Sequence, residues 1–189
     1  MSFAKRIIGA ALLLAGCVQP AVRDGPAPPP AAAVPGPGTI VGSIAATPSL
    51  TTLAGAINAA GLAGTLAGSG PFTVFAPTDQ AFARLAPGTA AALLKPENKA
   101  ALVKLVRLHI VAGALPKAEL VRRIAAGGGR ATLFSLAGEP LVLTMTGSAV
   151  TLTDAGGEVS YVETADLPRS NGVVHLVNGV LVPRLDPAR

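Results

Sequence analysis

The sequence predicts an α+β fold: a single domain with its helices gathered before the middle and its strands after it. Three observations carry this expectation. Apolar residues recur at helical spacing as far as Ala126, and beyond "GGG" at 127–129 the period shifts to strand-like runs separated by Gly-rich turns. Segregated helices and strands indicate α+β rather than alternating α/β. Half of the 189 residues are apolar and 13% are charged, which supports a packed core and excludes global disorder. With aromatics at 3%, that core is built from Ala, Val, Leu and Ile. The absence of Trp and the single Tyr count against a stacking platform for bases or sugars.

The chain opens with "MSFAKRIIGAALLLAGC": Lys5 and Arg6, an apolar stretch from Ile7 to Ala15, then Cys17. The apolar stretch is too short to span a bilayer and reads as a signal peptide over residues 1–16. Leu14-Ala15-Gly16-Cys17 resembles the bacterial lipobox, in which cleavage precedes a cysteine that is then acylated. The alternative is an ordinary signal peptide with an incidental cysteine, but the only cysteine of the chain stands where the lipobox requires it. Acylation at Cys17 implies a membrane partner through the lipid anchor and leaves the exported domain without a disulfide. Val18 to Gly38 carries seven prolines in 21 residues. With the lipidated Cys17 it forms a linker over 17–38, a stalk of up to roughly 60 Å in polyproline-like conformation. Removal of Lys5 and Arg6 leaves 13 basic against 10 acidic residues, so the high isoelectric point belongs to the precursor and gives no support to nucleic-acid binding.

The globular domain is expected over 39–186, with 187–189 as a tail. Thr47-Pro48 reads as a helix start, with Leu50, Leu53, Ala54 and Ile57 on one face and Gly61 as the stop. Phe72 to Phe75 reads as a strand, and Asp79 to Leu85 as one or two helical turns. Glu97 to Leu108 is an amphipathic helix with Leu102, Leu105 and Val106 inward, and "HIVAG" follows as a short apolar stretch. Lys117 to Ala126 is a further helix. "ATLFSL", "LVLTMTG", "AVTLTDAGG", "VSYVETADL" and "GVVHLVNGVLVP" are the strand-like runs of the second half.

Several of these segments together resemble the fasciclin-like (FAS1) family. "GPFTVFAPTDQAFARL" at 70–85 is similar to its first signature segment and "NGVVHLVNGVLVP" at 171–183 to its second. "ENKAALVKLVRLHIVAG" at 97–113 is similar to its central helix and the stretch after it. The resemblance covers about 147 of 189 residues. It implies a β-wedge of mostly antiparallel strands with several helices, and a role in adhesion or extracellular recognition. Family members linked to adhesion through a Tyr-His pair differ from this chain, which has Leu108-His109. The Asp-Ile of integrin-linked members is absent after Asn98-Lys99, where Ala100-Ala101 stands.

The residues themselves nominate no catalytic group, no cofactor and no metal. His109 and His175 are the only histidines and have no further ligand at metal spacing. "GGGR" at 127–130 lacks the Lys-Ser/Thr of a phosphate loop. Ser135 and Ser160 sit in strand patterns without a nucleophile elbow. Thr78 and Asp79 are good helix caps. They are also isolated polar residues within apolar signatures, so Asp79 or Thr78 is expected to bond His175 across the seam between the two segments. His109, closing a helix and entering a strand, is expected to bond backbone carbonyls or sit near the helix's negative end. Eight cations (Lys95, Lys99, Lys104, Arg107, Lys117, Arg122, Arg123 and Arg130) face only Glu97 and Glu119 within 36 residues, an excess of six charges. They are either solvated helix faces or a surface for anionic lipid or polysaccharide. The expected protein is therefore a non-catalytic adhesion or recognition module, lipid-anchored in the bacterial envelope. With Val18 and Gln19 after Cys17, the anchor leans to the outer membrane. A protein, polysaccharide or lipid is the expected partner, and nucleic acid is not. A small-ligand or glycan-binding module, or an envelope scaffold, is the alternative.

Overall fold

The structure, a computed structural model, describes residues 38–85 and 88–183. The signal peptide, Cys17, the linker before Gly38 and the tail at 187–189 lie outside the described residues. The helices are α1 (Ile40–Ala46), α2 (Thr51–Ala60), α3 (Ala63–Ala67), α4 (Asp79–Ala83), α5 (Thr89–Leu93), α6 (Lys99–Leu108) and α7 (Lys117–Ala126). The strands are β1 (Phe72–Pro77), β2 (Ile110–Ala112), β3 (Arg130–Phe134), β4 (Pro140–Thr146), β5 (Ala149–Thr153), β6 (Val159–Arg169) and β7 (Gly172–Val177).

All seven strands form one sheet in the order β2-β1-β7-β6-β5-β4-β3, antiparallel except for the β1–β7 pair. The sheet curls back on itself. Beyond the end of β3, Ser135 bridges to Val111 of β2, and Leu136 N–H donates to Ile110 O at 2.8 Å. The curl divides the core in two, because alternate residues of one strand point to opposite faces. Val74, Ala76 and Val174 face a helical core built from α1, α2, α3, α4 and α6, among them Ile44, Leu53, Ile57, Phe82 and Leu105. Phe75, Val111 and Val177 face an inner core with Leu133, Leu141, Leu143, Val150 and Leu152, which Leu120 and Ile124 of α7 complete.

The mixed α+β architecture matches the expectation from sequence, and its differences are local. Thr47-Pro48 opens a 3₁₀ turn (Pro48–Leu50), and α2 starts only at Thr51. Gly61 ends α2 with φ 72°, a left-handed cap that favours glycine. A separate α1 precedes this turn, capped by the Thr39 hydroxyl, which accepts from Gly42 N–H at 3.2 Å. Neither α3 nor α5 was legible, since each is five residues long, too short to show a helical period, and lacks the Thr-Asp capping pair that marks the equally short α4.

Candidate functional site at the seam of the two signature strands

β1 and β7 run side by side in parallel from Phe72–Gly172 to Pro77–Val177. This pairing joins the two signature segments in the middle of the sheet. Gly172 makes it possible: at φ 152° a Cβ there would overlap the carbonyl oxygen of Phe72. Asn171, buried just before it, ties the helical layer to the seam. Its Oδ1 accepts from Ile40 N–H at 3.0 Å, and its Nδ2 donates to Leu66 O at 2.6 Å and Gly68 O at 3.1 Å.

The expected bond from Asp79 or Thr78 to His175 is not formed. Thr78 caps its own helix, its hydroxyl accepting from Ala81 N–H at 3.4 Å. Asp79 reaches instead to the start of α2, where it accepts from Thr52 N–H at 2.8 Å, Thr51 N–H at 3.2 Å and the Thr51 hydroxyl at 2.7 Å. The physical reason is the lack of a capping side chain on α2 itself: Leu50 stands at its cap position and leaves the first N–H groups open to a carboxylate from α4. Burial raises the Asp79 pKa, but the bonds from Thr52 and Thr51 outweigh it and hold the carboxyl below its ordinary value.

His175 lies on the opposite, inner side of the seam, stacked on Phe75 with ring centroids 5.5 Å apart. Its Nε2–H donates to Leu115 O at 2.8 Å, and its Nδ1 accepts from Asp166 N–H at 3.2 Å. Asp166 occupies a bulge of β6 at φ 59°, and its carboxylate accepts from Lys117 N–H at 2.6 Å at the start of α7. His175 and Asp166 thus fasten β7, β6 and the entry to α7 together. Burial lowers the His175 pKa, against the raising effects of the Leu115 bond and the Asp166 charge.

His109, at the C-terminal cap of α6, is fully buried. Its Nδ1–H donates to Leu105 O at 2.9 Å, as a histidine closing a helix can. Its Nε2 accepts from Leu181 N–H at 3.0 Å, a partner 72 residues away. The next amide, Val182 N–H, donates to Asp154 Oδ2 at 2.8 Å, and Asp154 Oδ1 accepts from Gly156 and Glu158 N–H at 2.8 and 2.9 Å. Burial pushes the His109 pKa down to about 4, although the Leu105 bond and the nearby Asp154 charge oppose this. Asn171, Asp154 and Asp166 were not singled out from sequence. The Asn-Gly pair at 171–172 and the Asp-Ala-Gly-Gly turn at 154–157 were the available signals for the first two. Asp166 gave none.

At one end of the seam a groove of about 130 Å³ opens between Arg84 and Leu85, the start of β6 (Val159, Tyr161) and Asn178 to Val180. The Arg84 guanidinium donates to Asn178 O at 3.0 Å, and Asn178 Oδ1 accepts from Tyr161 N–H at 2.9 Å. The eight cations of 95–130 are spread over α6, α7, the start of β3 and Lys95, and four of them meet carboxylates. Lys95 faces Glu97 at 3.7 Å, Lys104 faces Glu139 at 2.8 Å, and Arg122 and Arg123 share Glu119 at 2.6 and 2.7 Å. Lys99, Arg107, Lys117 and Arg130 make no ion pair among the described residues. No cluster of three His, Cys, Asp or Glu suited to a metal ion occurs among the described residues.

Comparison with known proteins agrees with this architecture. The chain is 41% identical over 114 residues to Protein sll1483 of Synechocystis, covering 60% of this chain and 56% of that protein. It is 36% identical over 115 residues to the uncharacterized protein sll1735 of the same organism, covering 60% of this chain and 74% of that one. It is 32% identical over 123 residues to mouse Stabilin-1, covering 61% of this chain but only 4% of Stabilin-1. The chain therefore spans little more than half of the first of these relatives. Among solved structures, the domain pair from the insect cell adhesion molecule fasciclin I superposes with a TM-score of 0.69 at 16% identity, over 79% of this chain and 52% of that one. The model of the fasciclin domain matches residues 48–183, both signature strands and everything between them, and the chain belongs to the fasciclin domain family.

Proposed function

We propose that this protein is a non-catalytic recognition or adhesion module, displayed on the bacterial envelope by an acylated Cys17 and a proline-rich linker. One observation carries the reading. The polar side chains of the signatures are bonded to the protein's own backbone: both ring nitrogens of His109 and of His175, the carboxylate of Asp79 and the amide of Asn171. They hold the fold, so recognition falls to the outer surface. The likeness to a cell adhesion molecule supports the same direction. Lys99, Arg107, Lys117 and Arg130 are the cations best able to meet an acidic polysaccharide or lipid.

The test is binding of the protein to envelope fractions and to whole cells across a salt series. Saturable binding that falls steeply with salt is the expected result and identifies an anionic partner. Saturable binding that survives salt replaces that partner with a protein, and no binding to any fraction overturns the reading. The anchor is tested separately: radiolabelled palmitate is expected in the parent and absent from Cys17→Ser.

A second reading, capture of a small ligand, is favoured by the groove beside Arg84, Glu158, Tyr161 and Asn178, which is lined by a cation and an acid together with the apolar Ala81, Leu85 and Val180. A compound that raises the melting temperature of the parent but not of Tyr161→Ala would support it.

A further inference from the structure

We propose that Asn178 is a self-modifying position, whose side chain closes onto the amide nitrogen of Gly179 and ends as aspartate or isoaspartate. The chain has two Asn-Gly pairs, 171–172 and 178–179, one at each end of β7. Glycine hinders such a closure least, because it has no side chain. The fold treats the two pairs in opposite ways. At the first, the buried Asn171 amide is bonded to Ile40 N–H, Leu66 O and Gly68 O, and Gly172 lies in the ladder between Phe72 and Arg169. At the second, Asn178 stands half-buried on the groove beyond the end of β7. Neither its Nδ2 nor the N–H of Gly179 has a hydrogen-bond partner among the described residues. Those are the two reacting groups, the nitrogen that leaves and the nitrogen that attacks.

The bonds that the Asn178 oxygens make favour the reaction. The Arg84 guanidinium donates to Asn178 O at 3.0 Å. That oxygen shares a peptide unit with the Gly179 nitrogen and takes much of the negative charge when the nitrogen loses its proton, so a cation there stabilises the attacking form. Tyr161 N–H donates to Asn178 Oδ1 at 2.9 Å. Oδ1 becomes negative when the side-chain carbon is attacked, and a donor already aimed at it acts as an oxyanion site does. Asn178 N–H in turn donates to Tyr161 O at 3.1 Å, which holds the residue against β6. The groove of about 130 Å³ beside them has room for several water molecules.

The step needs water and no oxidant or reductant. Hydroxide takes the Gly179 proton, and the nitrogen bonds to the side-chain carbonyl carbon of Asn178 to close a succinimide. The bond from that carbon to Nδ2 breaks, and Nδ2 takes up a proton from water and leaves as ammonia. Water then opens the ring at either carbonyl, giving aspartate or isoaspartate. The product carries a carboxylate on the residue that Arg84 already contacts, so the groove lining passes from one cation and one acid to one cation and two acids. The proposal rests neither on the adhesion reading nor on the small-ligand reading.

The experiment incubates the full-length protein at mildly alkaline pH, once folded and once unfolded in guanidinium chloride. It follows the tryptic peptide 170–184, which carries both Asn-Gly pairs. Fragmentation locates the mass gained when an amide becomes an acid, and labelling by an isoaspartyl methyltransferase detects the isoaspartate. In denaturant the two positions are expected to react at similar rates. In the folded protein Asn178 is expected to react no more slowly than in denaturant, and Asn171 many-fold more slowly. Arg84→Gln, at an exposed position, should keep the melting temperature of the parent, slow Asn178 several-fold in the folded protein and leave the rates in denaturant unchanged. Protection of Asn178 equal to that of Asn171 overturns the proposal, and so does a folded Arg84→Gln that reacts at the rate of the parent.

Discussion

The β1–β7 seam and the outer face of β3 to β6 belong to one sheet but are built on opposite rules. In the seam every polar side chain has a backbone partner, and the packing is so close that position 172 admits no Cβ. On the outer face, Thr132, Phe134, Val159 and Tyr161 stand open, Val142, Thr144 and Thr153 are half-buried, and the buried Thr151 pairs with the Thr146 hydroxyl at 2.9 Å. Buried polar groups without partners are costly, so a region rich in them is fixed by its own hydrogen bonds. An open face carries no such debt and is free to serve a partner. The signature residues of this chain are thus marks of construction, and the less distinctive strands supply the accessible surface.

The sharpest break in this comparison is Gly172→Ala. A methyl group there collides with the backbone of Phe72, and the φ of 152° is strained for any side chain. Loss of more than about 4 kcal/mol is expected, enough to abolish a cooperative thermal transition. Alanine at Thr132, on the outer face, should stay within about 0.5 kcal/mol by chemical denaturation. Equal effects at the two sites would remove the distinction.

The next effect comes from His109. Its folded pKa of about 4 lies below the ordinary 6.5, so the unfolded chain binds the proton more readily between those values. The contribution is fully present above about pH 6.5 and is lost progressively as the pH falls towards 4, on the order of 3 kcal/mol in all. His175, shifted in the same direction, adds to the slope. His109→Leu leaves Leu105 O and Leu181 N–H without these partners and is expected to cost about 2–4 kcal/mol at pH 7. The same variant should flatten the dependence of stability on pH between 4 and 6.5, which denaturation at several pH values would read directly.

Asp79→Ala removes the carboxylate from the start of α2 and is expected to cost about 1–2 kcal/mol, within the range of lost helix caps. Because the folded pKa is held below the ordinary value, this contribution is present above about pH 4 and is lost as the pH falls through the folded value. Asp79→Ala should therefore approach the parent at low pH. A constant difference down to pH 2 would argue that the loss is one of packing.

The helices and strands that were legible in the sequence either have enough residues to show a period, such as α6, α7 and the strands after Arg130, or, like the five-residue α4, open on a capping pair, Thr78-Asp79. The helices α3 and α5 lacked that length. Among site residues, the N-cap role of Thr78 and the bond from His109 to a helix carbonyl follow from local spacing, which sequence displays. The partners of Asp79, Asp166 and His175 (Thr52, Lys117 and Leu115) lie 27, 49 and 60 residues away along the chain. Such pairings depend on which helix lacks a cap and where a bulge falls, and these are properties of the assembled fold. Asp79 shows the point well: its residue type announces a cap, but only the packing of α4 against α2 decides which helix receives it.

The smallest effect tests the surface rather than the core. Glu119 accepts from Arg123 and Arg122, and these bonds hold its carboxyl below the ordinary value even though the residue stands close to solvent. Exposed pairs of this kind contribute little, so Glu119→Gln should change stability by less than about 0.5 kcal/mol. Its consequence lies in charge. Removing the acid between two arginines adds one net positive charge to α7 and frees both guanidinium groups. If the cationic surface meets an anionic partner, Glu119→Gln should bind envelope fractions more tightly than the parent at low salt and equally at high salt. Unchanged binding at low salt would remove α7 from the contact and leave Lys99 and Arg107 of α6 as the cations to examine.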